Sequence, residues 1–246
     1  MNNTLDTALR QLNLPWIRAN LDEEVALAVR KSRPHHELLE RLVEGELATR
    51  FSRSVERRLR QARLPRRPTL ASFDFNWPNR INADQVRHLF TLNFMENASN
   101  VVFIGSVGVG KSHLAAALAV QACERRKNAL FVAAAAMLND LLEAGQAGGL
   151  PKALKRYLHP DLLVVDELGY LPIDKLGAEL LFQVLAGRYE KASTVITTNR
   201  IYIDWVQTFA NDAAMTSAVL DRVVHHCETV VIEGKSFRMK NRVEQE

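Results

Sequence analysis

The sequence predicts an α/β domain built on a parallel β-sheet with helices on both faces, preceded by a small helical domain. Three observations carry this reading. From residue 83 onward, short apolar runs alternate with helical patterns, as in chains of βαβ units. A Gly-rich loop, Gly105-Ser-Val-Gly-Val-Gly-Lys-Ser112, falls between one such run and one such helical pattern. Residues 1 to about 64 carry their leucines at helical rather than alternating spacing.

The N-terminal region takes its periodicity from Leu5, Leu9 and Leu12, and from Leu38 with Leu42 and Leu39 with Val43. Leu14-Pro15 and Arg33-Pro34 end or turn its helices, because proline disfavours a helical residue before it. Pro65-Arg-Arg-Pro68 and Phe73-Asp-Phe-Asn-Trp-Pro78 break the pattern and read as the linker into the main domain. The expected division is therefore a helical domain over 1–68 and an α/β domain over 69–246.

In the second part, a helix over 83–94 precedes the apolar run Val101-Val-Phe-Ile104. The loop follows, then a helix from Ser112 to about Arg126, then the strand Ala129-Leu-Phe-Val132. Residues 137–158 read as helical, interrupted by Gly148-Gly149. Leu162-Leu-Val-Val165 is a continuous apolar run, as in a strand buried on both faces. A helix over 175–190, the strand Thr194-Val-Ile-Thr197, a helix over 214–226 and the strand Thr229-Val-Val-Ile232 complete the series.

Composition excludes several classes. Hydrophobic residues make up 47% and charged residues 24%, which is globular rather than disordered. No apolar run approaches the ~18 residues of a membrane span, and the N-terminus lacks a secretory pattern. Cys123 and Cys227 stand outside any paired motif, so a reducing cytoplasm is expected. The net charge is only +4, yet Arg50, Arg53, Arg57, Arg58, Arg60, Arg63, Arg66 and Arg67 face the single acid Glu56 within one short stretch. Arg50, Arg53, Arg57 and Arg60 share one helical stripe. Such a cluster suits a phosphate backbone, or else is a solvated basic face or a contact for an acidic protein.

The Gly-rich loop has the chemistry of a phosphate cradle. Gly105, Gly108 and Gly110 leave backbone N–H groups open to phosphate oxygens and permit positive φ. The loop, with Ser106, Val107 and Val109 between its glycines, ends at a helix N-terminus, whose free N–H groups favour anions. Lys111 reaches β- and γ-phosphates, and the Ser112 hydroxyl suits Mg²⁺; ATP with Mg²⁺ is the expected ligand. Asp166-Glu167 then terminate a buried strand, where ligands bind in open α/β folds. Asp166 suits Mg²⁺, and Glu167 is placed as general base for the attacking water; the plainer reading is an acidic strand end. Asn199, in Thr197-Thr-Asn-Arg200, ends a third strand and either orients the water or simply turns the chain. His113 either lines the site or packs in the first helical turn.

Taken in order, Gly105–Ser112, Asp166-Glu167, Asn199 and Leu220-Asp-Arg222 resemble the Walker A, Walker B, sensor 1 and arginine-finger signatures of AAA+ P-loop ATPases. Gly110-Lys-Ser-His-Leu-Ala115, Asp166-Glu-Leu-Gly-Tyr-Leu-Pro172, Thr198-Asn-Arg200, Leu220-Asp-Arg-Val-Val-His-His226 and Glu233-Gly-Lys-Ser-Phe-Arg238 are similar to the IstB family. These are helper ATPases of bacterial insertion sequences, similar in turn to DnaC helicase loaders. The resemblance covers roughly residues 70–240, and the helical N-terminal part more loosely. It implies an AAA+ fold that assembles on duplex DNA with ATP, selects and deforms target DNA and activates a partner transposase. Arg222 is then either a finger acting on a neighbour's ATP in a homo-oligomer or a surface partner of Asp221. The sequence ends soon after Arg238, so no separate lid domain is expected; Arg238 either replaces a lid-borne sensor or is a tail residue.

Phe73, Phe75 and Trp77 either flank an adenine or pack a domain junction. Adjacent histidines on a helix point about 100° apart, so His225-His226 and His35-His36 are not expected to share a metal. A replicative helicase loader, a small-molecule P-loop kinase and a non-catalytic nucleotide switch are the competing functions; Asp166-Glu167 and the N-terminal arginines speak against the kinase, and Glu167 against the switch.

Overall fold

The structure, a computed structural model, describes residues 3–237. Packing divides them into two compact units with the boundary inside one helix: residues up to Arg57, and residues from Arg58 onward. The first unit holds α1 (Asn3–Gln11), α2 (Pro15–Arg30) and most of α3 (His35–Gln61). Pro15 occupies the first position of α2, where a missing N–H costs nothing. The next two N–H groups, of Trp16 and Ile17, donate to the buried Glu46 carboxylate at 2.9 and 3.2 Å. A Cβ at Gly45 would come within 2.4 Å of the Trp16 ring, so glycine lets that ring lie against α3. Arg41 adds a two-pronged pair to Glu24 at 2.8 and 3.0 Å.

The second unit is a five-stranded sheet of β1 (Asn100–Gly105), β2 (Ala129–Ala133), β3 (Leu162–Leu168), β4 (Ser193–Thr198) and β5 (Cys227–Ile232). All neighbours pair in parallel, in the order β2-β3-β4-β1-β5. Around it lie α4 (Ala83–Leu89), α5 (Lys111–Glu124), α6 (Ala134–Gln146), α7 (Leu150–Leu158), α8 (Lys175–Arg188), the short α9 (Trp205–Thr208) and α10 (Ala213–Val224). The sheet's two faces build two cores. Val101, Phe103, Leu162, Val164 and Val195 pack with α4 and α5; Val102, Ile104, Leu163, Val165 and Ile196 pack with α6, α7, α8 and α10. Period-two alternation along buried strands explains why those strands are apolar throughout. Residues 58–64 belong here: Leu59, Ala62 and Leu64 join the α4–α5 core, and the Ala62 carbonyl accepts from Phe131 N–H at 2.8 Å on the edge of β2. The polar edge of that strand is thereby partly covered.

Two elements differ from the expectations. The helix expected over 83–94 stops at Leu89; Leu92 turns left-handed (φ 66°) and a single 3₁₀ turn, Asn93–Met95, follows. The Thr91 hydroxyl donates to His88 O at 2.7 Å at the break. Apolar spacing continues across it because Leu92 and Phe94 still enter the core that holds Leu89. The segment 202–208 forms one 3₁₀ turn and α9, too short to leave a periodic trace. Among the described residues no helix is long and apolar enough to cross a membrane.

Arg188 is the most heavily engaged buried side chain. Its guanidinium donates to the carbonyls of Tyr157, Leu158 and Pro160, to Ser193 O and to the Thr194 hydroxyl, at 2.6–3.3 Å. It thus caps the end of α7 and ties it to the start of β4. Burial lowers its pKa to about 10, so it stays charged at neutral pH. Arg188→Ala is expected to destabilise by about 3–5 kcal/mol, since it leaves buried carbonyls unpaired as well as a cavity. Arg188→Lys recovers only part of this, because an ammonium cannot reproduce the fork. Urea unfolding of both variants is the check; a loss under ~1 kcal/mol for alanine would contradict the role.

Candidate nucleotide site

The sheet brings three sequence-distant clusters to one edge. Gly105 ends β1, Asp166 and Glu167 lie near the end of β3, and Asn199 follows β4. Because β4 runs between β1 and β3, Asn199 lies between the Gly-rich loop and the carboxylates. The edge is the carboxyl end of the strands, where open α/β sheets bind ligands.

The loop has the required backbone. Gly108 and Gly110 take φ values of 82° and 101°, which a side chain would strain. A Cβ on Gly110 would also approach the Phe73 ring to 2.5 Å. Gly110 is the N-cap of α5, aiming that helix's free N–H groups at the loop. Val109 is buried and serves the loop through its backbone; Val107 is exposed. Ser106 Oγ donates to Gly234 O at 3.2 Å, away from the cradle. Lys111 Nζ donates to the carbonyls of Gly105 and Ser106, each at 2.8 Å. A cation is thus folded over the cradle from its own loop.

A β-bulge resolves the difficulty that adjacent carboxylates on a strand point to opposite faces. The β3–β4 register shifts between Val165 and Leu168, and Glu167 adopts φ 61°. Asp166 stays buried, accepting from Ser112 Oγ at 2.7 Å and from the Thr197 hydroxyl. Glu167 is exposed, with its N–H donating to Thr197 Oγ1 at 2.9 Å. Thr197 thereby fixes both acidic residues. Sequence reasoning passed over it, although it lies two residues before Asn199 in the same motif. The Ser112 hydroxyl and Asp166 carboxylate form a hard oxygen set that fits Mg²⁺.

A cavity of about 430 Å³ joins these parts, lined by the loop from Val107 to His113, by Glu167 and by Asn199. That volume suits a ligand of nucleotide size. Its other end is made by the expected linker, through Pro65, Pro68, Phe73 and Trp77, and by Phe237 from the far end of the chain. Phe75 instead stacks edge-on to Phe73 at 4.9 Å and lies under the Arg87 guanidinium. Phe237 packs on Trp77 at 5.6 Å, and its N–H donates to Gly108 O at 2.8 Å. His113 meets Ser72 Oγ at 3.0 Å, and burial lowers its pKa. A larger groove of about 750 Å³ lies at the opposite sheet edge, beside Asn128, Lys152, Arg156 and His159. It has neither the glycine loop nor the paired carboxylates.

Arg222 is not at this edge. Its carbonyl, and that of Val223, accept from Asn100 Nδ2 at 3.4 and 3.0 Å. Asn100 opens β1, whereas the Gly-rich loop leaves from the other end. Five residue steps at about 3.3 Å put roughly 17 Å between the two ends. Arg222 pairs with Asp221 at 2.8 Å and lies over the Tyr189 ring at 4.6 Å. Of the five candidate DNA-binding residues, Arg53, Arg57 and Arg60 are exposed. Arg50 is exposed but donates to Glu46 and to Asn13 O, and Arg58 is half-buried. Arg238 lies outside the described residues. His225 and His226 lie past the end of α10, which stops at Val224, so the 100° helical offset does not apply to them. Their rings meet edge-on at 4.2 Å, with Glu190 3.8 Å from His226.

Comparison with known proteins agrees with this geometry. The family of IstB-like ATP binding proteins matches residues 7–245. The ATP-binding protein of insertion sequence IS21 from Pseudomonas aeruginosa is 36% identical over 97% of this chain and 89% of its own length. That of IS5376 from Geobacillus stearothermophilus is 32% identical over 100% and 98%. Among solved structures, the replication initiator DnaA bound to AMPPCP and single-stranded DNA aligns with a TM-score of 0.60 at 20% identity, over 74% of this chain and 56% of that one. The DnaC helicase loader aligns at 0.53 and 22% identity, over 67% and 96%. Both share the AAA+ fold. The chain belongs to the family of IstB-like ATP-binding proteins of insertion sequences.

Proposed function

We propose that this protein is a Mg²⁺-dependent ATPase that assembles on duplex DNA, helps to select and deform target DNA, and stimulates a partner transposase. One observation carries the enzymatic part. The cradle, the Mg²⁺ ligands and the base share one sheet edge, while Arg222 sits at the other, beyond reach of its own nucleotide. Hydrolysis is then completed only by a second copy. Lys111 and the loop N–H groups hold the β- and γ-phosphates; Ser112 and Asp166 would hold Mg²⁺, which would supply positive charge beside them. Glu167 takes the proton of the attacking water, Asn199 orients that water, and a neighbour's Arg222 stabilises charge on the γ-phosphate.

The DNA and transposase parts rest on the relatives. Proteins named for insertion sequences match this chain over nearly its whole length, including the helix that carries Arg50, Arg53 and Arg57. The likeness to DnaC covers 67% of the chain and supports the fold rather than helicase loading. ATPase assays over a range of protein concentration, with and without random-sequence duplex, test the proposal. Specific activity is expected to rise with concentration and with DNA. Capture of a hexameric helicase without any duplex binding would reject it in favour of the loader.

A further inference from the structure

Arg222 does not project freely; it is held on a small platform at the joined ends of two helices. Tyr189 is the C-cap of α8 and His225 the C-cap of α10. The Arg222 guanidinium lies 4.6 Å above the Tyr189 ring centroid, and one of its nitrogens donates to Asp221 at 2.8 Å. Tyr189 OH meets His225 Nδ1 at 2.9 Å, which fixes the rotation of the phenol. The base of the platform is also tied down. Asn100 Nδ2 donates to the carbonyls of Arg222 and Val223, while Asn100 Oδ1 accepts from Thr194 N–H at 3.0 Å. Arg222 itself keeps 37% of its side-chain surface accessible, so it is held and still presentable to a neighbour.

An arginine on a flexible stem samples many rotamers, and ordering it on binding costs free energy. A guanidinium resting on an aromatic face has met much of that cost already, and the face leaves its outward N–H groups available. We propose that Tyr189, braced by His225, is a positioning residue that pre-orients Arg222 for the nucleotide of an adjoining copy. The proposal rests on the reading of Arg222 as a finger acting in trans. It adds the residue that sets how well the finger performs.

Mixed assemblies of the full-length protein, with Mg-ATP and duplex DNA, test both. Tyr189→Leu removes the aromatic face and is expected to lower kcat roughly fivefold with ATP affinity unchanged, from the usual size of such contacts. Tyr189→Phe keeps the face and is expected to retain most of the rate; failure of Tyr189→Phe to exceed Tyr189→Leu overturns the proposal. Glu167→Gln copies cannot turn over but carry an intact Arg222 on an intact platform. Added to Tyr189→Leu copies, they are expected to raise the rate per competent site toward the wild-type value, which a defect confined to the mutated copy's own fold would not allow. Arg222→Ala copies mixed with Glu167→Gln copies report on the finger itself. Rescue of Arg222→Ala without rescue of Tyr189→Leu overturns the role of Tyr189 alone. Rescue of neither overturns the trans finger, and the platform with it.

Discussion

Arg222→Ala is expected to lower the kcat for ATP about a thousandfold while leaving nucleotide binding by isolated copies unchanged, since a finger in trans is worth that much or more. The separation of effects follows from placement. The proposed ATP cradle comprises Gly105–Ser112 and the end of β3, and Arg222 is anchored through Asn100 at the other end of β1. Removing its guanidinium deletes a contact with Asp221 that is 64% exposed on the acid side, so stability should move little. Arg222→Lys keeps the charge but loses the planar fork and the stacked geometry on Tyr189, and should recover only a small part of the rate. Single-turnover rates measured at saturating ATP with duplex DNA are the readout. Loss of ATP binding by the isolated Arg222→Ala copy would place the arginine within its own site and contradict the arrangement.

The strands, the phosphate loop and the paired carboxylates were legible because each is written in consecutive residues. Gly105–Ser112 carries its glycines, its cation and its hydroxyl in one word. Leu162–Val165 shows by continuous apolarity that both faces of β3 are covered, and Asp166-Glu167 mark where that burial ends. What was not legible depends on residues far apart in the chain. Phe237 reaches the loop through Gly108 and Trp77, and nothing local to Lys235-Ser-Phe237 announces this. Thr197 braces Asp166 and Glu167 only because β4 lies beside β3. The stretch 65–78 is non-periodic, as expected, but it lies inside the second unit rather than between the two, and its place in the cavity wall depends on its path over α5. Only the extent of the helix through His225 and His226 was not legible, because Val224, the last helical residue, carries no stop signal such as glycine or proline.

Glu167→Gln is expected to lower turnover by about a hundredfold to ten-thousandfold, the range supplied by a positioned general base, with ATP affinity preserved. The bulge explains why the substitution isolates one function. Glu167 binds the structure through its backbone N–H, donated to Thr197 Oγ1 at 2.9 Å, and glutamine keeps that bond. Glutamine also adopts the left-handed φ of 61° at no greater cost than glutamate. The residues proposed to hold Mg²⁺, Ser112 and Asp166, are untouched, because Asp166 faces its own partners in the buried layer while Glu167 lines the cavity. Asp166→Asn should behave differently. It weakens the metal and disturbs the Ser112 and Thr197 hydroxyls together, so affinity for Mg-ATP and turnover should fall in concert. Equilibrium binding of a fluorescent ATP analogue beside phosphate release distinguishes the two variants. Wild-type turnover in Glu167→Gln would mean that the proton leaves to another group, and Asn199, an amide with no basic nitrogen, could not be that group.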